Sequence, residues 1–288
     1  MDIFITLTVN GLATGLLLFM MACGLSIIFG LMGIMNFAHG GFFLIGAYAS
    51  TWTYSITGNF AIAMIAGMAA GSAIGWLTEI TIIRPVYKNP IGQILITLGA
   101  FIVINEVVKI IWGPNVLPSP TPDILQGDIN ILGASISVYR IFVIVFSCVV
   151  ALVVHLVLTR TRLGMIVRAG VENSEMVNIL GVNVRRVFAS VFILGTGLAA
   201  LGGTMIGPTI GQIGPFLASQ YLLLGFIVVV IGGMGSFIGS MIAGIIVGLA
   251  NNYIIWIYPP AALPLNIILM SVILLVKPSG LLGIKEAV

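Results

Sequence analysis

"GLATGLLLFMMACGLSIIFGLMGIMNFAHGGFFLIGAYAS", residues 11–50, decides how the rest of the chain is read. It carries no charge, and it lies within a longer run, Ile3 to Thr78, that holds no Asp, Glu, Lys or Arg in 76 residues. Helices packed in water need a polar face; helices in lipid must lack one. One crossing takes about 20 apolar residues, so this run holds three or four crossings with uncharged connections. At its centre is "GLMGIMNFAHGG" (30–41), with Asn36 and one of the chain's two histidines, His39, among Gly30, Gly33, Gly40 and Gly41. Irregular backbone at membrane depth is tolerated only where protein or a water-filled cavity surrounds it. The motif therefore predicts a broken or re-entrant segment.

Composition agrees. Charged residues are 7% of the 288 and hydrophobic ones 60%, with a mean hydropathy of +1.23; a soluble domain carries about 25% charge. A second charge-free run, Val187 to Val276, spans 90 residues and holds another three or four crossings. Shorter runs at 89–105 and 141–159 add one each. The expected fold class is all-α: a single polytopic transmembrane domain over 1–288, with eight or nine helices and glycine-rich breaks. The start, "MDIFITLTVN", lacks a basic n-region and a small-residue cleavage site, and is read as the beginning of an uncleaved first span. The net charge of +3 says little about nucleic acid, because no soluble basic face exists to bind it.

Nine of the eleven Lys and Arg fall in three clusters. Arg84 and Lys88 form one, Arg160, Arg162, Arg168, Arg185 and Arg186 the second, Lys277 and Lys285 the third. The loop at about 113–138 has no Lys or Arg but contains Asp123 and Asp128. The positive-inside rule places the clusters in the cytoplasm and this loop outside. Spans then fall at about 4–29, 41–56, 60–82, 91–112, 139–158, 188–207, 217–231, 236–257 and 263–276. An outside N-terminus and a cytoplasmic C-terminus need an odd number of crossings, so nine fits best. The short 217–231 leaves eight open.

Gly30-x-Met32-Gly33 is echoed by Gly232-x-Met234-Gly235, one in each half of the chain. Glycine-interrupted segments at corresponding positions point to broken helices around a midplane site, so Gly232, Gly233 and Gly235 join Gly30, Gly33, Asn36, His39 and Gly40 as candidates for a solute path. The bland alternative is two helix-packing stretches that agree by chance. For Asn36 and His39 it is a helix cap and a donor to freed carbonyls. No second ligand lies near His39, so a metal site is not expected.

The largest cytoplasmic segment, about 159–187, is patterned. Met176, Ile179, Leu180 and Val184 recur at helical spacing, Glu172-Asn173-Ser174 offers a capping start, and Gly181 offers a stop. This predicts a short amphipathic helix that lies on lipid or docks a partner; Glu172 and Glu175 disfavour anionic lipid. No lysine follows a glycine anywhere, so a Walker-type phosphate loop is absent. No Ser-His-Asp set, carboxylate pair or metal spacing appears, and Cys23 and Cys148 read as small core hydrophobes. Glu106 and Lys109 share a helix face near the outer interface and are read as a local ion pair. Glu79 and His155 are read as groups near the cytoplasmic interface. The prolines at 114, 118, 120 and 122 stiffen the outer loop.

Four stretches carry a resemblance to a known family. "GLSIIFGLMGIMNFAHGGFFLIGAYAS" (24–50), "RPVYKNPIGQILITLGAFIVINEVVKIIWG" (84–113), "TRLGMIVRAGVENSEMVNILGVNVRRVFA" (161–189), and "VVVIGGMGSFIGSMIAGIIVGL" (228–249) with "KPSGLLG" (277–283) are together similar to the permease subunits of branched-chain amino acid ABC importers, the LivH type. The likeness covers nearly the whole chain. It implies a multi-pass protein of the bacterial inner membrane, pathway formation with a second permease (a LivM-like paralogue), two cytoplasmic ATPases that bind the ATP, and a periplasmic binding protein. It implies no cofactor of the chain's own. The cytoplasmic segment becomes the ATPase-coupling loop, with Arg168, Glu172, Glu175, Leu180 and Gly181 as its candidates. Here the chain departs from the wider pattern: Glu175-Met176-Val177 stands where Glu-Ala-Ala is usual. The rival solutes are urea, short amides or another small polar molecule. The rival class is a stand-alone secondary transporter, which would need a membrane-embedded acid.

Overall fold

The computed structural model describes residues 2–33, 35–87, 89–131 and 133–283, apart from the side chains at 31, 171–175 and 184. Its helices are α1 Asp2–Met32, α2 His39–Thr57, α3 Phe60–Thr78, α4 Pro90–Trp112, α5 Val138–Arg160, α6 Arg162–Ile179, α7 Val184–Ile210, α8 Phe216–Gly232, α9 Phe237–Ile257 and α10 Ala262–Val276. Short strands β1 Leu117–Pro118 and β2 Asp128–Ile131, then β3 Ala134–Ser137 and β4 Gln212–Ile213, lie between them, with short helical turns at Glu79–Ile83, Arg84–Val86, Asp123–Leu125 and Pro259–Ala261. Starts follow local chemistry: the side chains of Asn59, Asn89, Asn183 and Ser236 each accept from a backbone N–H of the first turn they precede.

Of these, α1, α3, α4, α5, α7, α9 and, with the turn Pro259–Ala261 that precedes it, α10 are long and apolar enough to cross a membrane. Two more run alongside them. The 17-residue α8 extends about 25 Å at 1.5 Å per residue, from the outer strand β4 to the inner glycines at 233–235. The less apolar α2 is wrapped by protein from His39 to Ser50, so lipid does not test the composition of that part. Among the described residues that makes seven helices long and apolar enough to cross and two that run beside them, with Asp2 and the stretch after α10 at opposite ends of the bundle. Asp2 sits beside Gly133 at the β2–β3 hairpin, on the outer side. The tail after α10 hydrogen-bonds back to the inner end of α8: Leu281 N–H to the Ile231 carbonyl and Leu282 N–H to that of Gly232.

The core is built from α1, α2 and α7, with α9 and α8 against α1. Small residues set how close these helices come. Gly67, Gly71 and Gly75 of α3 face Thr204, Ala200 and Thr196 of α7, both sets spaced by four. Gly11 and Gly15 of α1 face Gly248 and Gly244 of α9 in the same way. In lipid, where tails are as apolar as leucine, such close packing supplies much of the association. α4, α5 and α10 form the outside and show lipid-type side chains.

Three local features differ from the sequence expectation. The cytoplasmic helix does not start at Glu172-Asn173-Ser174. It starts at Arg162, because Thr161 already caps it by accepting from the Gly164 N–H at 3.1 Å, and nothing then interrupts the helix until Leu180. The outer loop is more than a proline-stiffened linker: β1 pairs with β4 far along the chain, and β2 pairs with β3. The inner end of α3 loosens into a π turn, Glu79–Ile83, ahead of Pro85, whose ring and missing N–H cannot continue an α ladder.

That π turn aims Glu79 inward. Glu79 is fully buried, and its carboxylate accepts from Arg84 Nη2 at 2.8 Å, from Arg84 Nε at 3.2 Å and from the Tyr87 hydroxyl. Burial first, then the neighbouring carboxylate, pushes the Tyr87 phenol above its ordinary value, so it remains a donor at neutral pH. The two partners of the ion pair are not equivalent, because Arg84 keeps about a third of its side chain exposed (36%) and Glu79 none. Arg84→Ala leaves a buried carboxylate short of its cation and is expected to destabilise by roughly 2 kcal/mol, below the range for fully buried pairs. Glu79→Gln leaves a guanidinium that water can reach, and should cost less. Thermal unfolding of both variants in detergent checks the order.

Candidate functional site

The glycine-rich link between α1 and α2 is re-entrant. α1 runs to Met32, yet His39, the first residue of α2, reaches the Met21 carbonyl with Nε2 at 3.1 Å. Met21 lies eleven residues before the end of α1, about 16 Å up the helix at 1.5 Å per residue. On the way, the Met35 carbonyl accepts from Thr97 Oγ1 at 3.4 Å, seven residues into α4. The chain thus turns back into the inner half of the membrane before α2 begins. A carbonyl can only accept, so His39 carries its proton on Nε2, and Nδ1 is a bare acceptor.

Asn36 and His39 are both fully buried. Asn36 Oδ1 accepts from the Ala38 N–H at 3.0 Å, which shapes the turn into α2. Each residue therefore holds the break in place through one atom. Each also keeps one buried atom, Asn36 Nδ2 and His39 Nδ1, with no partner among the described residues.

The two echoed motifs meet. A Cβ on Gly30 would lie 2.9 Å from the Gly235 Cα, and one on Gly235 would lie 3.0 Å from the Gly30 Cα. Gly233 (φ +99°) and Gly235 (φ +83°) take left-handed backbone in the turn between α8 and α9, which only glycine adopts freely. Gly232 packs on Gly239 and Ser240, Gly233 on Gly283, and Gly40 on Ala218 and Leu222 of α8, whereas Gly33 meets nothing within 4 Å. Most of these glycines are thus close backbone contacts around the inner ends of α1, α8 and α9.

Beside the Gly30–Gly235 contact opens an inner cavity of about 430 Å³. Ile27, His155, Thr159, Arg168, Ser236 and Leu282 are among its walls, so Arg168 of α6 lines the same space as Gly30 and Gly235. The other coupling candidates are spread along α6. Leu180 and Ile179 are exposed, Met176 is half-exposed, and Gly181 ends the helix with φ +83° and a Val182 N–H to Val177 carbonyl bond. The side chains of Glu172 and Glu175 lie outside the described residues. Glu106 and Lys109 form their ion pair at 2.6 Å on the exposed face of α4. Among the described residues, no three His, Cys, Asp or Glu side chains come together as a metal site would need.

A second cavity, about 540 Å³, lies near the outer surface between α8, α9 and α10. Gln220, Asn251 and Asn266 line it with apolar neighbours. Asn266 is the one buried residue of α10, and neither of its amide atoms has a partner among the described residues. An unpaired buried amide costs about 1–3 kcal/mol in proteins. Sequence reasoning passed over Asn266, although a lone asparagine within "LPLNIILMSV" (263–272) was a readable signal.

Comparison with known proteins extends the geometry. A family model described as "Branched-chain amino acid transport system / permease component" matches residues 7–277. The high-affinity branched-chain amino acid transport system permease protein LivH of Escherichia coli (strain K12) is 29% identical over 96% of this chain and 94% of its own length. BraD of Pseudomonas aeruginosa, the permease of a system of the same description, is 28% identical over 96% and 95%. The probable permease LivH of Methanocaldococcus jannaschii is 21% identical over 93% and 89%. No solved structure matches the chain.

Proposed function

Because the chain belongs to the branched-chain amino acid transport system permease family, we propose that it forms half of the translocation path of an ATP-driven importer for branched-chain or other hydrophobic amino acids. It sits in the bacterial inner membrane as a multi-pass subunit. A second permease, a paralogue or a copy, supplies the other half. Two cytoplasmic ATPases supply the energy and a periplasmic binding protein delivers the solute. The chain has no phosphate-binding loop of its own, so ATP belongs to those partners.

The observation that carries this reading is α6. Its cytoplasmic end presents Ile179 and Leu180, 78% and 75% exposed, a few residues along the chain before the exposed Arg185 and Arg186. Exposed apolar residues on a short helix between spans are what a helix-in-groove contact uses. The permease then works as a gate: it exposes solute to each side in turn, and the partners bias two states of different stability. Support for a link between α6 and a solute path comes from the inner cavity, whose wall holds both Arg168 and the Gly30–Gly235 contact.

A stand-alone secondary transporter needs an acid free to couple an ion. Glu79 is taken by Arg84 and Tyr87, and Glu106 by Lys109. Uptake of labelled leucine by inner-membrane vesicles decides between the two. Vesicles with all four kinds of subunit and internal ATP are expected to accumulate leucine, and vesicles with this chain alone are not. Accumulation by the chain alone would overturn the importer reading.

A further inference from the structure

Thirteen of the fifteen residues of α10 are apolar or proline, yet the single side chain it buries in the protein is Asn266, 1% exposed. Leucine would fill that position without leaving a polar group unpaired. Asn266 instead lines a cavity together with Asn251, and among the described residues neither amide atom of Asn266 nor Oδ1 of Asn251, all buried, has a partner. Gln220 adds a third amide from α8. Asn266 lies four residues into α10 and Asn251 six residues before the end of α9, so the cavity is about 6–9 Å below the outer helix ends at 1.5 Å per residue.

We infer that this amide-lined cavity is an outer solute subsite that holds an aliphatic amino acid as its zwitterion. The inference deepens the importer reading and rests on it. Each carboxamide carries both a donor and an acceptor. An α-amino acid brings the complement: a carboxylate for the amide N–H groups and an ammonium for Oδ1 of Asn251 and Asn266. Phe216, Leu223 and Leu263 form the apolar part of the wall, which suits a hydrocarbon side chain. The volume of about 540 Å³ is within the usual range for small-molecule sites, about 300–1,000 Å³. No Asp, Glu, Lys or Arg lines the cavity. A lipid phosphate would use the donors and leave the two oxygens unpaired, and a divalent cation would find no carboxylate. Neutral dipoles also hold a zwitterion weakly enough to release it onward, as a conducting site must.

The test uses the assembled importer in right-side-out vesicles, with Cys148→Ser to remove the exposed thiol and Ser219→Cys, an exposed wall position that takes no part in holding the solute, as the probe. A small charged methanethiosulfonate added outside is expected to modify the new thiol. Leucine at about twice its half-saturating concentration is expected to slow that reaction about threefold, by the 1 + [L]/Kd rule for occupancy, and acetamide or urea is not. A modification rate that leucine leaves unchanged, or no modification at all, in a complex that still imports leucine overturns the subsite. Protection by acetamide or urea without protection by leucine overturns the amino-acid assignment. Asn266→Leu is the second arm, with assembly retained and uptake lowered about tenfold, the scale of a lost hydrogen bond to a charged group; unchanged uptake overturns the inference. If the unaltered complex imports no leucine at all, the importer reading fails instead, so the two failures are distinct.

Discussion

Ile179→Asp combined with Leu180→Asp is expected to strip the ATPase subunits from the complex and to lower ATP-driven uptake by more than tenfold, with the permease still present in the membrane at its normal level. Both side chains are largely exposed at the cytoplasmic end of α6, so neither supports the chain's own packing. Their loss acts on the contact alone. A central apolar anchor in an interface is worth about 2 kcal/mol or more, which is roughly a thirtyfold change in affinity, and two charges placed in an apolar groove add desolvation to that loss. Val177, two residues away, is buried. Val177→Asp should therefore lower the amount of folded permease, a phenotype that co-purification separates from the first. Wild-type recovery of ATPases with the double variant would remove α6 from the coupling role.

Gly203→Val is expected to abolish folded protein. A Cβ on Gly203 would stand 1.9 Å from the Phe43 carbonyl oxygen, and one on Gly46 would stand 2.0 Å from that of Ala200. The α2–α7 crossing is thus closed from both sides by backbone, which has no rotamer to change. To admit a side chain, the helices must part along their length, and the Thr204 Oγ1 to Gly46 carbonyl bond at 3.3 Å is lost with them. Overpacking of a tight core costs about 1–3 kcal/mol or more, and the upper end applies where nothing flexible can yield. Gly99→Val is the control, since a Cβ there meets nothing within 4 Å and the site is exposed on α4. Size-exclusion profiles of the detergent-extracted proteins should show a normal peak for Gly99→Val and none for Gly203→Val.

The spans were readable because bilayer thickness and charge placement act directly on sequence. The expected 91–112, 139–158, 217–231 and 263–276 became 90–112, 138–160, 216–232 and 262–276. What hydropathy does not distinguish is lipid from protein as a neighbour, since both are apolar. The buried α1 and the exposed α10 therefore look alike in sequence. The Gly67–Gly71–Gly75 row was visible as spacing but had no evident partner until α7 was laid against it. The start of α6 was misplaced because Glu172-Asn173-Ser174 resembles a cap, and Thr161 had capped the helix eleven residues earlier. The β1–β4 pairing joins two loops far apart in the chain and leaves no local mark. For Asn36 and His39 the break itself was legible in the glycines around them. Their partners, Ala38 and Met21, needed the fold.

The corner between α5 and α6 has a mechanical consequence. Thr161 alone separates the two helices, and Gly164 sits so tightly on the Leu158 carbonyl that a Cβ would come within 2.2 Å of it. The joint between α6 and α7 is looser, with Gly181 and Val182 outside either helix. A bell-crank has this shape: one stiff elbow, two rigid arms and slack on the far side. The arms are about 27 Å for α6 and about 35 Å for α5 at 1.5 Å per residue. A load applied at the tip of α6 then reaches α5 through the elbow, and reaches α7 through the packing of Val167 against Val187 and Val191 rather than through the link at Gly181.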